Sequence, residues 1–331
     1  MRAKAAGKPV GVKLKLKGVV DCSFLTSLHA LDVSSNNLRD LCWLSSLHSL
    51  RVLNISDNSI TDNKSLSLVT LRNFTSLLDL NLSKNHIGAT GSRLLLETLP
   101  FMRDLRKLDL SHNDIEHEGL ACLVAGFSWI SGLESLSLGS NSLGCDAAEE
   151  LAAHLHKLSR LTELDLSDNE LTSDCCDSFA RGVTSLRELR ALGLRGNKIE
   201  SEGASKLSAC FSAMRLLRDL DVSRNALQPS GASLLAESLA HLVTLTRLDV
   251  SANSIRDEGA VALCHGLTCA SRLDRLTLDD NEIARAGALE LVSSAHLWPR
   301  LRCLSLRGNE ICSPVLQTVA SSFPEYVKII E

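Results

Sequence analysis

Aromatic residues and prolines are scarce in this sequence. Only 3% of its 331 residues are aromatic, with a single tyrosine, and there are six prolines. Hydrophobic residues nevertheless make up 44% of the chain. A large core is therefore predicted, built from leucine and other aliphatic side chains rather than from rings. The same composition leaves no room for a long proline-rich linker or a low-complexity tail.

Long apolar runs are also missing. No stretch of 18 apolar residues could span a membrane, and no apolar segment near the start is typical of a signal peptide. Eleven cysteines occur without a C-x-x-C pair, and their odd number argues against a disulfide framework. We therefore expect reduced thiols, no membrane contact and a cytoplasmic location, with the cilium, the cytoskeleton and the mitochondrion left open.

Motifs that carry chemistry are absent as well. The sequence has no phosphate-binding glycine loop and no G-x-S-x-G. Cys175 and Cys176 stand where other repeats have small residues, which favours packing over reactivity. His154 and His156 are two residues apart on a predicted helix and diverge, so a shared metal ion is not expected. The sequence thus predicts no enzyme, no catalytic residue, no cofactor and no metal site.

Charge is distributed unevenly along the chain. The formal net charge is −4, yet six basic residues precede the first acidic one, Asp21. We call these six the basic arm: Arg2, Lys4, Lys8, Lys13, Lys15 and Lys17. Apolar residues alternate with lysine from Val12 to Lys17, which predicts a β-strand whose lysines block edge-to-edge pairing. The other interpretation is an anchor for an acidic protein surface or for nucleic acid, and nucleic acid is expected at this arm alone.

One eight-residue pattern recurs through nearly the whole chain. LDLSHNDI at 108–115 returns, for example, as LDLSDNEL at 164–171 and LSLRGNEI at 304–311. Its asparagine occupies eleven positions: Asn36, Asn58, Asn85, Asn113, Asn141, Asn169, Asn197, Asn225, Asn253, Asn281 and Asn309. The spacing is 22, then 27, then 28 residues eight times in succession. So regular a period predicts a repeat architecture.

Each copy resembles the leucine-rich repeat, L-x-x-L-x-L-x-x-N-x-L. The 28-residue spacing is similar to the ribonuclease-inhibitor-like class, with shorter repeats at the N-terminus. The resemblance implies an α/β fold, a right-handed solenoid (horseshoe) with parallel strands on the concave face and helices on the convex face. We expect a basic arm and degenerate capping repeat at 1–30, eleven repeats at 31–312 and a C-terminal cap at 313–331. Leu14 and Leu16 align with Leu192 and Leu194 in this scheme.

The columns of the repeat predict its local structure. The two leucines of L-x-L point to one side of a short strand, and the asparagine amide is expected to satisfy backbone groups in the turn. Glycine stands six residues after the asparagine in six repeats, where we expect the chain to bend into a helix. Apolar residues spaced four apart, such as Leu235 and Leu239, then predict the buried face of that helix.

The concave face is where proteins of this kind usually bind partners. Charged residues gather there on adjacent strands near the C-terminal end: Asp219, Asp221, Arg247, Asp249, Arg275, Asp279 and Arg307. These residues form either a recognition patch or a solvated face whose charges compensate each other. Phe101, Trp129 and Trp298 fall between helices and strands, where they either pack or form a partner-facing rim.

The leading functional prediction is a non-catalytic scaffold for protein–protein interaction, an accessory or structural subunit of a larger intracellular assembly. The expected partners are other proteins. The alternative is a regulator of a small GTPase, because Ran GTPase-activating proteins resemble this chain in repeat class and size. Those proteins carry an arginine-bearing insertion in an early repeat, and the early repeats here keep their lengths.

Overall fold

A computed structural model describes residues 11–13, 15 and 26–330. The chain divides into two compact units, with the boundary between Ser142 and Leu143. In both units, a short strand leads through a turn to a helix and back to the next strand. The predicted solenoid of strand, turn and helix is therefore confirmed.

Unit one contains a parallel sheet whose strands follow the order of the chain. Its strands are β1 Gly11–Lys13, β2 Ala30–Asp32, β3 Val52–Asn54, β4 Asp79–Asn81, β5 Lys107–Asp109 and β6 Ser135–Ser137. Its α-helices are α1 Ala89–Thr98 and α2 Glu116–Ala125. The two shorter repeats carry 3-10 helices instead, at Cys42–Leu44 and Asp62–Asn73, and two more follow α1 and α2 at Leu99–Phe101 and Phe127–Ile130.

Unit two repeats the arrangement with 28-residue regularity, again as parallel strands in chain order. Its strands are β7 Glu163–Asp165, β8 Ala191–Gly193, β9 Asp219–Asp221, β10 Arg247–Asp249, β11 Arg275–Thr277, β12 Cys303–Ser305 and β13 Lys328–Ile330. Its helices are α3 Gly144–His154, α4 Cys176–Val183, α5 Glu200–Phe211, α6 Gln228–Leu239, α7 Arg256–Gly266, α8 Arg285–Ser294 and α9 Ser313–Ser322. Short 3-10 helices lie at Leu155–Leu158, Ser173–Cys175, Leu267–Cys269 and Ala295–Leu297.

Leucine columns fill the space between strands and helices. The central leucines of β2 to β12 are no more than 4% exposed, and the helix columns such as Leu235 and Leu239 are equally buried. Each strand therefore points its middle residue into the core and its first and third residues to the other side of the sheet. We call that other side the strand face.

The turn after each strand depends on the asparagine side chain. The Nδ2 group of Asn253 donates to the carbonyls of Val222, Val250 and Ser251, and its Oδ1 accepts the N–H groups of Asn225 and Leu227. The residue before each of the eleven asparagines has a left-handed backbone, with φ between 53° and 66°. The amide thus supplies the partners that an irregular buried turn lacks, as the sequence predicted.

The glycine column has a different role from the predicted bend. Gly119 lies inside α2 and Gly259 inside α7, without the positive φ of a turn. A Cβ at Gly119 would come within 2.8 Å of Ser92 Oγ, and a Cβ at Gly259 within 3.0 Å of the Ala232 Cβ. Glycine is required there because neighbouring helices approach closely, not because the chain bends.

The first strand also differs from its predicted alignment. Val12, not Leu14, lies opposite Leu31, so the alignment of the first repeat was wrong by two residues. The alternating apolar residues are compatible with either register, so the sequence pattern alone does not distinguish them. The predicted domain boundaries at residues 30 and 312 stay predictions.

Candidate partner-binding surface

Five of the seven predicted charged residues occupy two rows on the strand face of unit two. Asp219, Arg247 and Arg275 lie side by side in one row, because the registers pair each with the next. Asp221 and Asp249 lie side by side in the second row, followed by Thr277. The constant repeat length is what brings residues 28 positions apart into contact.

Several of these carboxylates serve the backbone of their own turn. Asp221 Oδ1 accepts hydrogen bonds from the Ser223 N–H at 2.9 Å and from its hydroxyl at 2.6 Å. Asp249 Oδ1 accepts the Ser251 N–H at 2.9 Å. Asp165 and Ser167 form the same pair. The serine row of the sequence is therefore a row of internal hydrogen-bond partners, a role that the sequence pattern alone does not reveal.

Two neighbouring carboxylates give the second row a negative character. Burial raises the pKa of Asp249, and the adjacent Asp221 carboxylate raises it further, while the Ser251 hydrogen bonds and Arg195 oppose the shift. An approaching cation stabilises the charged form of a carboxylate in such an environment. The floor of this surface is therefore suited to a basic side chain.

Arg247 is already engaged by the neighbouring strand. Its Nε and Nη2 donate to Asp219 Oδ1 and Oδ2, both at 2.6 Å, in a two-pronged ion pair. These hydrogen bonds, together with the charge of Asp219, raise the pKa of Arg247. Such a pair fixes the guanidinium in place and leaves little of its charge for a partner.

Arg275 differs from Arg247 because it has no ion pair with any residue in the range 26–330. Its side chain is exposed beside Arg247 at the start of β11. A partner carboxylate can therefore reach its guanidinium without displacing an internal acid. Arg275 is the cation of the row that remains available for recognition.

An open depression of about 390 Å³ joins these residues. It is lined by Asp219, Asp221, Arg247, Asp249 and Arg275, together with Asp165 and Thr277 among others. Gly193 forms part of its floor, and a Cβ there would lie only 2.6 Å from Asp165 Oδ1. The absent side chain at Gly193 thus opens the surface, a signal visible in the sequence as the one glycine of its row.

The other two predicted patch residues lie outside the depression. Asp279 Oδ1 accepts the backbone N–H of Arg307 at 2.9 Å, so this pair belongs to the last turns of the unit. Five of the seven predicted residues are therefore brought together, and Asp279 and Arg307 are not.

The basic arm is described only in part. Lys13 Nζ lies 3.1 Å from Asp32 Oδ2 and 3.3 Å from Ser34 Oγ, and the Lys15 side chain is exposed. Arg2, Lys4, Lys8 and Lys17 lie outside the described residues. The exposed ion pair of Lys13 fits the edge-guard interpretation, and the anchor interpretation stays a prediction.

The aromatic residues of the predicted rim have different environments. Trp298 is 2% exposed, and its Nε1 donates to the Leu267 carbonyl at 3.2 Å, so it packs in the core. Phe101 and Trp129 are 47% and 43% exposed, and the Arg103 guanidinium lies 5.2 Å from the Trp129 ring. Phe101 and Trp129 therefore remain available to a partner.

The thiols and imidazoles form no recognisable metal site among the described residues. The pKa of Cys175 is raised by hydrogen bonding to Cys176 and by burial, so its thiol stays protonated. His86 Nδ1 lies 3.4 Å from Asp114 Oδ2. Within the same described residues, no helix is long and apolar enough to cross a membrane.

Two family models match the chain. The first, "Leucine Rich repeat", matches residues 24–41, 46–63, 75–95, 102–124, 185–208, 213–236 and 241–264. The second, "Leucine Rich Repeat", matches residues 160–181. The chain belongs to the leucine-rich repeat family. Assignment to the ribonuclease-inhibitor-like class stays a prediction.

A solved structure confirms the fold of this leucine-rich repeat protein. The chain is similar to an internalin from Listeria monocytogenes strain 4b F2365, with a TM-score of 0.64 and 22% sequence identity. The similarity covers 97% of this chain and 85% of the internalin chain. Comparison with curated proteins gives no match. Leucine-rich repeat proteins in general present extended surfaces that bind other proteins.

Proposed function

We propose that this leucine-rich repeat protein is a non-catalytic scaffold that holds a partner protein on the strand face of unit two. We further propose that it serves as an accessory or structural subunit of a larger intracellular assembly. The observation that carries the proposal is the depression over Gly193, where Arg275 lies exposed beside a row of acids.

The charges of this surface define what it selects. Asp221 and Asp249 favour a basic side chain, whereas Arg275 favours an acidic one. Arg275 lies diagonally across from Asp249 on the neighbouring strand, roughly 8 Å away. A partner that presents both charges in that order is attracted, and one that presents them in the reverse order is repelled. The surface therefore supplies specificity more than raw affinity.

Affinity capture with charge-reversal variants tests the proposal. The tagged wild-type protein is recovered from lysate and its companions are identified by mass spectrometry. Arg275→Glu replaces the exposed guanidinium with an acid near Asp249, so we expect loss of the main companion by at least about tenfold. Arg285→Glu is the matched control, because it makes the same charge change at the exposed start of α8.

Equal recovery by the wild type and Arg275→Glu would refute the strand-face site. The GTPase-regulator alternative makes a different prediction. It requires stimulated GTP hydrolysis by a companion GTPase that one arginine substitution abolishes. That alternative stays a prediction.

A further inference from the structure

A second depression lies at the edge of unit two where the strands begin. Its volume is about 760 Å³, and its charged and aromatic lining residues are Arg247, Arg272, Asp274, Arg300, Arg302 and Tyr326. We call it the arginine pocket. It shares only Arg247 with the strand-face depression, and that guanidinium is already bound to Asp219.

The arginine pocket carries an excess of positive charge. Asp274 is its one acid, and its Oδ1 lies 3.4 Å from Arg302 Nε. Arg272 and Arg300 are exposed and have no ion pair with any residue in the range 26–330. After the internal pairs are formed, two guanidinium charges remain without a counter-charge.

The surrounding edge strengthens this field. Six connections lead into β7 to β12: residues 155–162, 183–190, 211–218, 239–246, 267–274 and 295–302. Together they contain nine lysine and arginine residues but only two acidic residues, in a chain whose net charge is −4. Carbonyl-to-amide hydrogen bonds such as Arg190 to Arg218 and Asp274 to Arg302 hold successive connections side by side. A basic edge of this kind steers anions toward the pocket.

The chemistry of the pocket favours a phosphate monoester. A phosphorylated side chain carries a charge of roughly −1.5 to −2 at neutral pH, which matches the two unpaired guanidiniums, whereas a carboxylate carries only one charge. Guanidinium groups also present paired donors that suit phosphate oxygens. Tyr326 adds an aromatic wall, because its ring is 62% exposed and its hydroxyl donates to the Pro299 carbonyl at 3.3 Å.

A single-stranded nucleic acid fits this edge less well. Such ligands bind along a series of exposed aromatic rings on which successive bases stack. The other aromatic residues of unit two, Phe179, Phe211, Trp298 and Phe323, are all buried. Tyr326 alone can stack one group but cannot support a strand.

We propose that the arginine pocket binds a phosphorylated side chain of a partner protein. That the phosphate belongs to a partner protein rests on the proposed scaffold function. The pocket and its ligand chemistry do not depend on the strand-face site. Partner capture can then be gated by phosphorylation of the partner.

The single tyrosine makes the pocket directly observable. Protein labelled with 3-fluorotyrosine gives one ¹⁹F resonance, from Tyr326, which is followed during titration with phenyl phosphate at constant ionic strength. We expect a saturable shift, and at least about tenfold weaker binding of benzoate, which bears one charge and fewer acceptors. Arg272→Ala/Arg300→Ala should abolish the saturable shift.

Arg187→Ala/Arg215→Ala is the matched control, because these arginines are exposed on the same edge but do not line the pocket. It should bind phenyl phosphate as the wild type does. A linear shift, or equal shifts in both double variants, would mean that only ionic screening is observed and would overturn the proposal. If benzoate bound as tightly as phenyl phosphate, or if oligothymidylate bound more tightly per phosphate than phenyl phosphate, the choice of a phosphate monoester would be overturned.

Discussion

At the scale of single residues, the amide of the repeated asparagine has the largest structural role. Asn253 is 1% exposed and satisfies five backbone groups from two successive repeats. The sequence predicted this role because a buried turn needs both donors and acceptors. It did not predict the left-handed residue before each asparagine, since nine of those eleven residues are not glycine.

Asn253→Ala should therefore strongly destabilise unit two. Each buried group left unpaired costs about 1–3 kcal/mol, so we expect the free energy of unfolding to fall by at least about 3 kcal/mol. Urea denaturation followed by circular dichroism measures the change. Ser271→Ala, an exposed serine in the next connection, is the control and should change it by less than about 0.5 kcal/mol. A small effect of Asn253→Ala would contradict the role assigned to the amide.

Buried thiols make stability depend on pH. Burial raises the pKa of Cys210 and of Cys264 from 9.0 to about 12. The folded state then keeps protons that the unfolded state loses above pH 9, so unfolding becomes easier as pH rises. The stabilisation is complete below pH 9 and is lost between pH 9 and about 12.

We expect the free energy of unfolding under reducing conditions to fall between pH 9 and 11, and to fall less steeply in Cys210→Ala/Cys264→Ala. Each thiol contributes up to about 1.4 kcal/mol per pH unit to the slope. Urea denaturation at several pH values measures it. The same slope in both proteins would show that other groups control the alkaline transition.

At the scale of elements, contact between neighbouring helices decides where glycine must stand. Gly266 ends α7, and a Cβ there would lie 2.2 Å from the carbonyl oxygen of Ala236. The period of the sequence marked the column of Gly119 and Gly259 but did not single out Gly266. It could not show why any of these glycines is needed, because their neighbours lie 27 to 30 residues away.

Gly266→Ala should destabilise the protein by about 1–3 kcal/mol, because backbone rather than a flexible side chain has to move. Gly132→Ala is the matched control, since its new Cβ would meet nothing closer than 3.9 Å. Thermal unfolding of the two variants measures the difference. Equal melting temperatures would contradict the close approach of α6 and α7.

Aspartate side chains link some helices to the preceding repeat. Asp257 Oδ1 accepts the N–H groups of Ala284 and Gly287 at 2.8 and 2.9 Å, and Oδ2 accepts that of Ala286 at 3.2 Å. Asp62 does the same at the start of α1. The sequence does not reveal these caps, because each carboxylate lies a full repeat before the helix that it serves.

At the scale of the whole molecule, the period predicted the fold and which charged residues are neighbours on the strand face, whereas partner binding by those residues stays a prediction. It did so because a constant spacing fixes which side chains are neighbours. It could not show where the depression ends, so Asp279 and Arg307, which lie further along their repeats, were grouped with residues that they do not join. The arginine pocket was missed because its residues lie in the connections, where the pattern is irregular.

Sedimentation of the native protein from lysate, with mass spectrometry of its companions, tests the central claim most directly. A scaffold subunit should migrate with a large particle whose other proteins remain constant through purification. Migration as a free chain of 35.8 kDa would contradict that account and would favour a transient regulator.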